Sequence, residues 1–484
     1  MGHLSLLLVL PLAGAAGVSL TPGHQGRLIR RIAVLTCAAT LLVAWWLVLG
    51  FDLTATGMQY TETVRWNPRL GTYYALGVDG ISLPLVMLAT LLCLVAVLAS
   101  RSIKERPKGY YLLLLVLESA MLGVFMAQDW ALFYVCWELT LIPLFFLIDR
   151  WGGKNRNAAS LNFVLYTMGG SVFMLIALLV LFDSVPGHSF LAADLLPAAR
   201  ALPQQTQILI FLGLLIGFGV KMPLFPIHGW LPLAHVEAPS PVSILLSGIL
   251  LKMGSYGLLR AVHLLPAAAE ALQTMLLAVA LIGLIYGGLL AWRQTDLKAM
   301  IAYSSVSHMG VVLLGIATLN LTGITGAVMQ MVAHGLVAGA LFLLIGLLYE
   351  RTHTREIGHY SSLVQVMPRF AFFTILAFVA AVGLPGTAGF VAELHTLIGG
   401  FERWGWLVLI LSLGVLIGAA YSVRTVGRLF TGPVRPQMRS LPDLSRSELI
   451  AASVLSAGTL LIGCFPAPAL ELTAATAAHL SEAF

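Results

Sequence analysis

Charge is what this sequence has least of. Of its 484 residues only 10% are charged and 59% are hydrophobic, whereas soluble domains carry about 25% charged residues, so a soluble globule is excluded. Long polar stretches are also missing. Apolar runs of about 20 residues, enough to cross a bilayer core, follow one another almost from end to end and leave no segment for a separate soluble domain. Cysteine is scarce: Cys37, Cys93, Cys136 and Cys464 are scattered through apolar runs, with no CxxC and no Cys/His cluster to hold iron–sulfur or zinc, and each reads as a small buried hydrophobe. The absence of a Walker loop, and of GxGxxG after a strand, speaks against nucleotide or hydride chemistry by this chain. No basic, aromatic-interleaved patch suggests nucleic acid.

What is present reads as one polytopic all-α membrane domain over residues 1–484, with about fourteen transmembrane spans. They fall near 3–20, 32–50, 80–100, 110–127, 129–148, 160–182, 206–231, 241–262, 272–291, 299–317, 321–349, 370–400, 405–423 and 448–466. The first run lacks a basic n-region and is expected to be retained rather than cleaved as a signal peptide. Connections after odd-numbered spans hold about 20 Lys and Arg and those after even-numbered spans about 5. The positive-inside rule then places both termini in the periplasm of a bacterial inner membrane. The formal charge of +6 is mostly this topology signal.

Two of the 27 basic residues, Lys221 and Lys252, fall inside spans instead. Lys221 ends an apolar run and is followed by the proline-broken Met222-Pro223-Leu224-Phe225-Pro226. A buried amine and a broken helix both need protein or water around them, which is how ion paths in membranes are built. The twelfth span is broken in the same manner at Gly383-Leu384-Pro385-Gly386, with Glu393 just beyond. Broken helices five spans apart suggest an inverted repeat, spans 4–8 against 9–13, with units at 110–262 and 272–424 after N-terminal helices in 1–109 and before a last helix at 448–466. A kink made for packing is the alternative for each break alone.

Glu138 lies in the apolar Trp130–Leu147 run and needs a cation, for which Lys221 is the first choice. Such a pair can be a proton switch or a static salt bridge. Lys252, mid-span, is expected to line the interior rather than snorkel. His308 and His334 suit a proton relay between Lys252 and Glu393, or are ordinary buried hydrogen-bonding residues. His228 is expected to touch a water path. Asp296 and Lys298 are expected to serve capping and topology, Glu350–Glu356 to form a solvated or subunit-contacting face, and Glu237 to be a rim charge or a contributor to the water path.

Several strings together resemble the antiporter-like subunit M, or chain 4, of respiratory complex I, NADH:quinone oxidoreductase. These are Trp137-Glu138-Leu139 with Trp151-Gly152-Gly153, Lys221 through Pro232, Ala234 through Pro239, Leu250 through Gly254, Asp296-Leu297-Lys298 with Ala302 through Ser305, and Gly383 through Gly386. The resemblance implies a fourteen-helix proton-translocating module. It implies that Glu138 and Lys221 are the input pair, Lys252 the centre, Glu393 the periplasmic exit, and His228, His308 and His334 the lining of the connecting aqueous axis. It places NADH, flavin (FMN), iron–sulfur clusters and quinone in partner subunits, none in this chain, and implies two further antiporter-like subunits as partners. Leu233 departs from the polar residue common there. A sodium/proton antiporter subunit, or a paralogue in a ferredoxin-, hydrogen- or carbon dioxide-linked complex, would use the same residues. A degenerate structural scaffold would lose one of the four mid-span charges, Glu138, Lys221, Lys252 and Glu393.

Overall fold

The structure, a computed structural model, describes residues 2–484. Thirteen helices are long and apolar enough to cross a membrane, and Pro368–Ala381 adds a shorter one. They follow the expected spans closely, because each uninterrupted apolar run must satisfy its own backbone as a helix. The first six spans are His3–Leu20, Gly26–Leu49, Ser82–Ser102, Pro107–Met126, Trp130–Trp151 and Arg156–Ser184. The seventh is Gln204–Lys221 and, past the break, Trp230–Glu237. The eighth to eleventh are Ser240–Leu264, Gln273–Arg293, Leu297–Ala317 and Leu321–Thr352. The twelfth is Pro368–Ala381 and then Ala388–Trp404, and the last two are Ile410–Phe430 and Arg446–Cys464.

The eighth, tenth and eleventh spans are buried along nearly their whole length and form the centre. The second and sixth spans instead expose rows of large apolar side chains, among them Leu35, Leu42, Leu161, Leu165 and Ile176, on the outer surface where lipid or other chains would lie.

The expectation of an all-α chain needs one correction. Between the second and third spans the strands β1 (Gln59–Asn67) and β2 (Thr72–Val78) pair as an antiparallel hairpin. Glu62 in β1 accepts from the amides of Leu4 (2.7 Å) and Ser5 (3.2 Å) and from the Ser5 hydroxyl, which places a carboxylate on the free N–H groups that begin the first span. Two further helices, Ala192–Ala201 and Ala467–Ser481, lie on the hairpin face and were not expected.

Hairpin and bundle are joined by one buried ion pair. Arg260, near the end of the eighth span, donates to Asp79 Oδ2 at 2.6 Å, and Asp79 Oδ1 accepts from the amides of Ile81 (3.1 Å) and Ser82 (2.9 Å) at the start of the third. Burial alone would raise the Asp79 pKa, but the Arg260 guanidinium and these amides outweigh it and hold the carboxyl below the usual carboxylate range. A depressed folded-state pKa stabilises the fold above the unfolded value of about 4, and this contribution disappears only as pH falls below it. Asp79→Asn leaves a buried arginine unpaired and should cost about 3 kcal/mol. The prediction is a lower thermal unfolding midpoint of the purified protein at neutral pH, with the gap between variant and wild type closing only below about pH 4. Equal midpoints at pH 7 would contradict it.

Candidate functional site

Ionisable residues inside the bundle gather at three places. At the first, Lys221 closes the helix Gln204–Lys221 and is almost fully buried. Its Nζ donates to Thr140 Oγ1 at 2.7 Å and to the Trp137 carbonyl at 3.5 Å, and sits 4.4 Å from the centroid of the Trp137 ring. The break that follows leaves carbonyls free; the indole of Trp230 donates to one of them, Val220 O, at 2.8 Å.

The expected ion pair with Glu138 is not made: no Lys221–Glu138 contact within 4.0 Å occurs among the described residues. The reason is helical phase. Trp137 and Thr140 are three apart and share the face toward Lys221, whereas Glu138 is turned about 100° from Trp137. Glu138 lies half-buried in a lateral apolar recess with Ile142, Phe145 and Val164, and its Oε1 has no partner.

At the second place Lys252, with no exposed surface, donates to the Ser247 carbonyl at 2.7 Å and lies 2.6 Å from His334 Nδ1. The carbonyl is available because Leu246–Leu250 forms a π-helical turn, which widens the i→i−4 ladder. His334 is within reach because spans eight and eleven cross closely: a Cβ on Gly335 would come within 3.0 Å of Gly248 O. His308 follows, its ring centroid 5.2 Å from that of His334 and its Nδ1 3.2 Å from Gln330 Nε2. Lys252, His334 and His308 therefore form one connected cluster, as the relay expectation requires.

Glu393 makes the third, on the helix that resumes after the second break. Its carboxylate lies against Gly383, where a Cβ would come within 2.4 Å of Oε2 and where φ is +74°. Only glycine meets both demands. No hydrogen bond joins Glu393 to the histidines among the described residues, so the structure does not bring the fourth charge into contact with the other three. His228 also stands apart: it packs on Phe225 and Tyr286, with Nδ1 unpartnered, and bonds to neither lysine.

Other placements differ from expectation. Lys298 is buried and donates to Ala238 O at 2.8 Å, so it ties the tenth span to the end of the broken seventh rather than marking topology alone. Asp296 does cap, accepting from Ala299 N at 3.0 Å, and also pairs with Arg355 at 3.0 Å. Glu237 accepts from the Asn155 amide at 2.9 Å, which makes it an anchor for the 152–155 turn. Leu233 is half exposed on the outer surface.

Sequence reading passed over two buried groups. Glu118, mid-span in Val116-Leu117-Glu118-Ser119, is fully buried and accepts from Cys37 Sγ at 3.1 Å; an acid flanked by such an apolar run was a signal available in the sequence. His235, with no exposed surface, stacks on Phe342 at 4.5 Å with both ring nitrogens unpartnered.

Comparison with known proteins places this geometry. The profile of the family described as "NADH:quinone oxidoreductase/Mrp antiporter, TM" matches residues 127–418, and that of "NADH-ubiquinone oxidoreductase chain 4, amino terminus" matches residues 30–127. NADH-quinone oxidoreductase subunit M of Rhodobacter capsulatus is 40% identical over 99% of this chain and 96% of its own length. The chain belongs to the subunit M, or chain 4, family. Among solved structures, a chain of respiratory complex I from Thermus thermophilus with bound NADH superposes with a TM-score of 0.90 at 33% identity, covering 99% of both chains. A chain of the Mrp complex from Dietzia superposes with a TM-score of 0.84 at 24% identity and covers 52% of that chain, a likeness of fold alone.

The packing at the second break predicts that Gly383→Ala in this subunit M relative, which forces a Cβ onto Glu393 at a positive φ, destabilises the protein by about 1–3 kcal/mol. Thermal unfolding of the purified protein measures it, and an unchanged midpoint would contradict the contact.

Proposed function

We propose that this chain is a proton-translocating membrane-arm subunit of an NADH:quinone oxidoreductase in a bacterial inner membrane, with both termini periplasmic. The observation that carries the reading is the direct contact of Lys252 with His334, and of His334 with His308, in the buried centre of a chain that matches subunit M over its full length. An amine and two imidazoles in line can pass a proton without leaving any one of them an isolated charge in low dielectric.

Redox chemistry in partner subunits, where NADH, flavin, iron–sulfur clusters and quinone belong, shifts charge along the membrane arm. In the arrangement described above, Lys221 is held by Thr140 and Trp137 and Glu138 stands apart. Closing that pair moves positive charge toward Glu138 and alters the field at Lys252, which gives up its proton through His334 and His308 toward Glu393 and the periplasm. The two repeat units, 110–262 and 272–424, supply one lysine each side of this hand-over: Lys221 and Lys252 from the first, with the histidines and Glu393 from the second. Each proton moved outward works against about 2.3 kcal/mol per 100 mV, so every step must be gated. Lys298 and His235 lie between this centre and the face opposite the hairpin, and support proton uptake from that side.

Lys221→Met and Glu138→Gln are predicted to abolish most NADH-driven acidification of proteoliposomes while leaving assembly intact; normal pumping in both would remove the pair from the mechanism. Mass spectrometry of the chains that stay with the protein in mild detergent tests the parent complex. Flavin and iron–sulfur subunits with two further antiporter-like chains are expected. Small antiporter partners alone would make it a cation/proton exchanger.

A further inference from the structure

The hairpin face carries a cavity of about 270 Å³, lined by Asp79, Gln128, Trp130, Phe133, Tyr256 and Arg260 among others. Its polar groups are committed to each other or to backbone. Arg260 pairs with Asp79, the Tyr256 hydroxyl donates to Phe125 O at 3.2 Å, and Asp129 accepts from the amides of Ala131 and Leu132. What distinguishes the cavity is its inner wall. Trp130 and Phe133 line it with ring centroids 5.3 Å apart; Phe133 stacks on Trp137 at 5.8 Å; and the Trp137 ring lies 4.4 Å from the Lys221 amine. Phe218 closes the side of the stack, with centroids 6.0 Å from Phe133 and 5.5 Å from Trp137. All four rings are buried.

The stack is fixed from behind. A Cβ on Gly257 would meet the Phe218 ring at 2.4 Å and one on Gly254 would meet Phe218 O at 2.6 Å, so the eighth span presses directly on the ring. Rings at these separations pack rigidly and offer water no hydrogen-bonding edge at Phe133 or Phe218. An apolar constriction of this kind blocks conduction by staying dry.

We propose that Trp130, Phe133, Trp137 and Phe218 form a seal that isolates Lys221 from the cavity on the hairpin face, which the distribution of basic residues makes the periplasmic one. The inference rests on the proton-carrying role of Lys221 proposed above. A lysine that exchanges protons with the cytoplasmic side must be shut off from the other side, or the membrane potential drives protons back through it. Trp137 serves both needs, since its face holds the ammonium without water and its edge belongs to the seal.

The test uses the intact complex in liposomes without NADH, with a potassium diffusion potential imposed by valinomycin and internal pH followed by pyranine. Phe133→Ser, which opens space and adds a hydroxyl, is expected to raise passive proton flux on the order of tenfold, equivalent to about 1.4 kcal/mol of barrier. Phe133→Leu should stay tight, and adding Lys221→Met to Phe133→Ser should restore tightness. If Phe133→Ser does not assemble, Trp130→Ser at the cavity wall is read in the same way. An assembled serine variant with wild-type flux, or a leak that persists undiminished with Lys221→Met, overturns the proposal. Because no turnover is involved, loss of pumping in Lys221→Met together with a tight serine variant would reject the seal and keep the pump.

Discussion

Two lysine amines inside a membrane protein, neither touching a carboxylate, set the terms for the rest of this structure. An unpaired ammonium in low dielectric is costly, and the fold meets the cost with dipoles and rings instead of counter-ions. Lys221 has a hydroxyl, a carbonyl and an indole face; Lys252 has a carbonyl freed by a π-turn and an imidazole nitrogen. Such partners hold a charge without fixing it. A salt bridge would have traded mobility for a stability that apolar packing supplies better.

Other features follow from the need to bring these partners into reach. The seventh helix stops at Lys221 so that its amine can cross to the fifth span, and Trp230 repairs the broken end. Gly248 and Gly335 let spans eight and eleven approach until Lys252 and His334 touch, and Gly383 makes room for Glu393 at the second break. Small residues and interrupted helices, each unfavourable by itself in a helix, lie where the charges are.

The spans were legible in the sequence because a lipid core permits only self-satisfied helices of about 20 residues, and apolar runs of that length are hard to mistake. The mid-span ionisable residues stood out for the same reason, and Lys252, His334 and His308 come together as read. The hairpin was not legible, since β1 and β2 are held by Glu62 reaching the start of the first span and by Asp79 reaching Arg260, contacts between residues far apart in the chain. The Glu138–Lys221 contact was read from charge alone. Helical phase turns Thr140 and Trp137 toward the lysine, and which helix faces Lys221 cannot be known before packing is. Glu118 and His235 were passed over because attention followed the residues that adjoin breaks or lysines.

The central claim is that these buried groups lie on a hydrated path rather than in a dry core. His235 with both nitrogens unpartnered, Glu138 Oε1 and His228 Nδ1 are the clearest demands for water, since buried polar atoms are rarely left unbonded. An electron cryo-microscopy map of the parent complex, at a resolution that locates ordered water, tests this directly. The prediction is water within hydrogen-bonding distance of Lys221, Lys252, His235 and Glu393, continuous from the lysines to Glu393. A dry interior, with those atoms facing only apolar side chains, would contradict it.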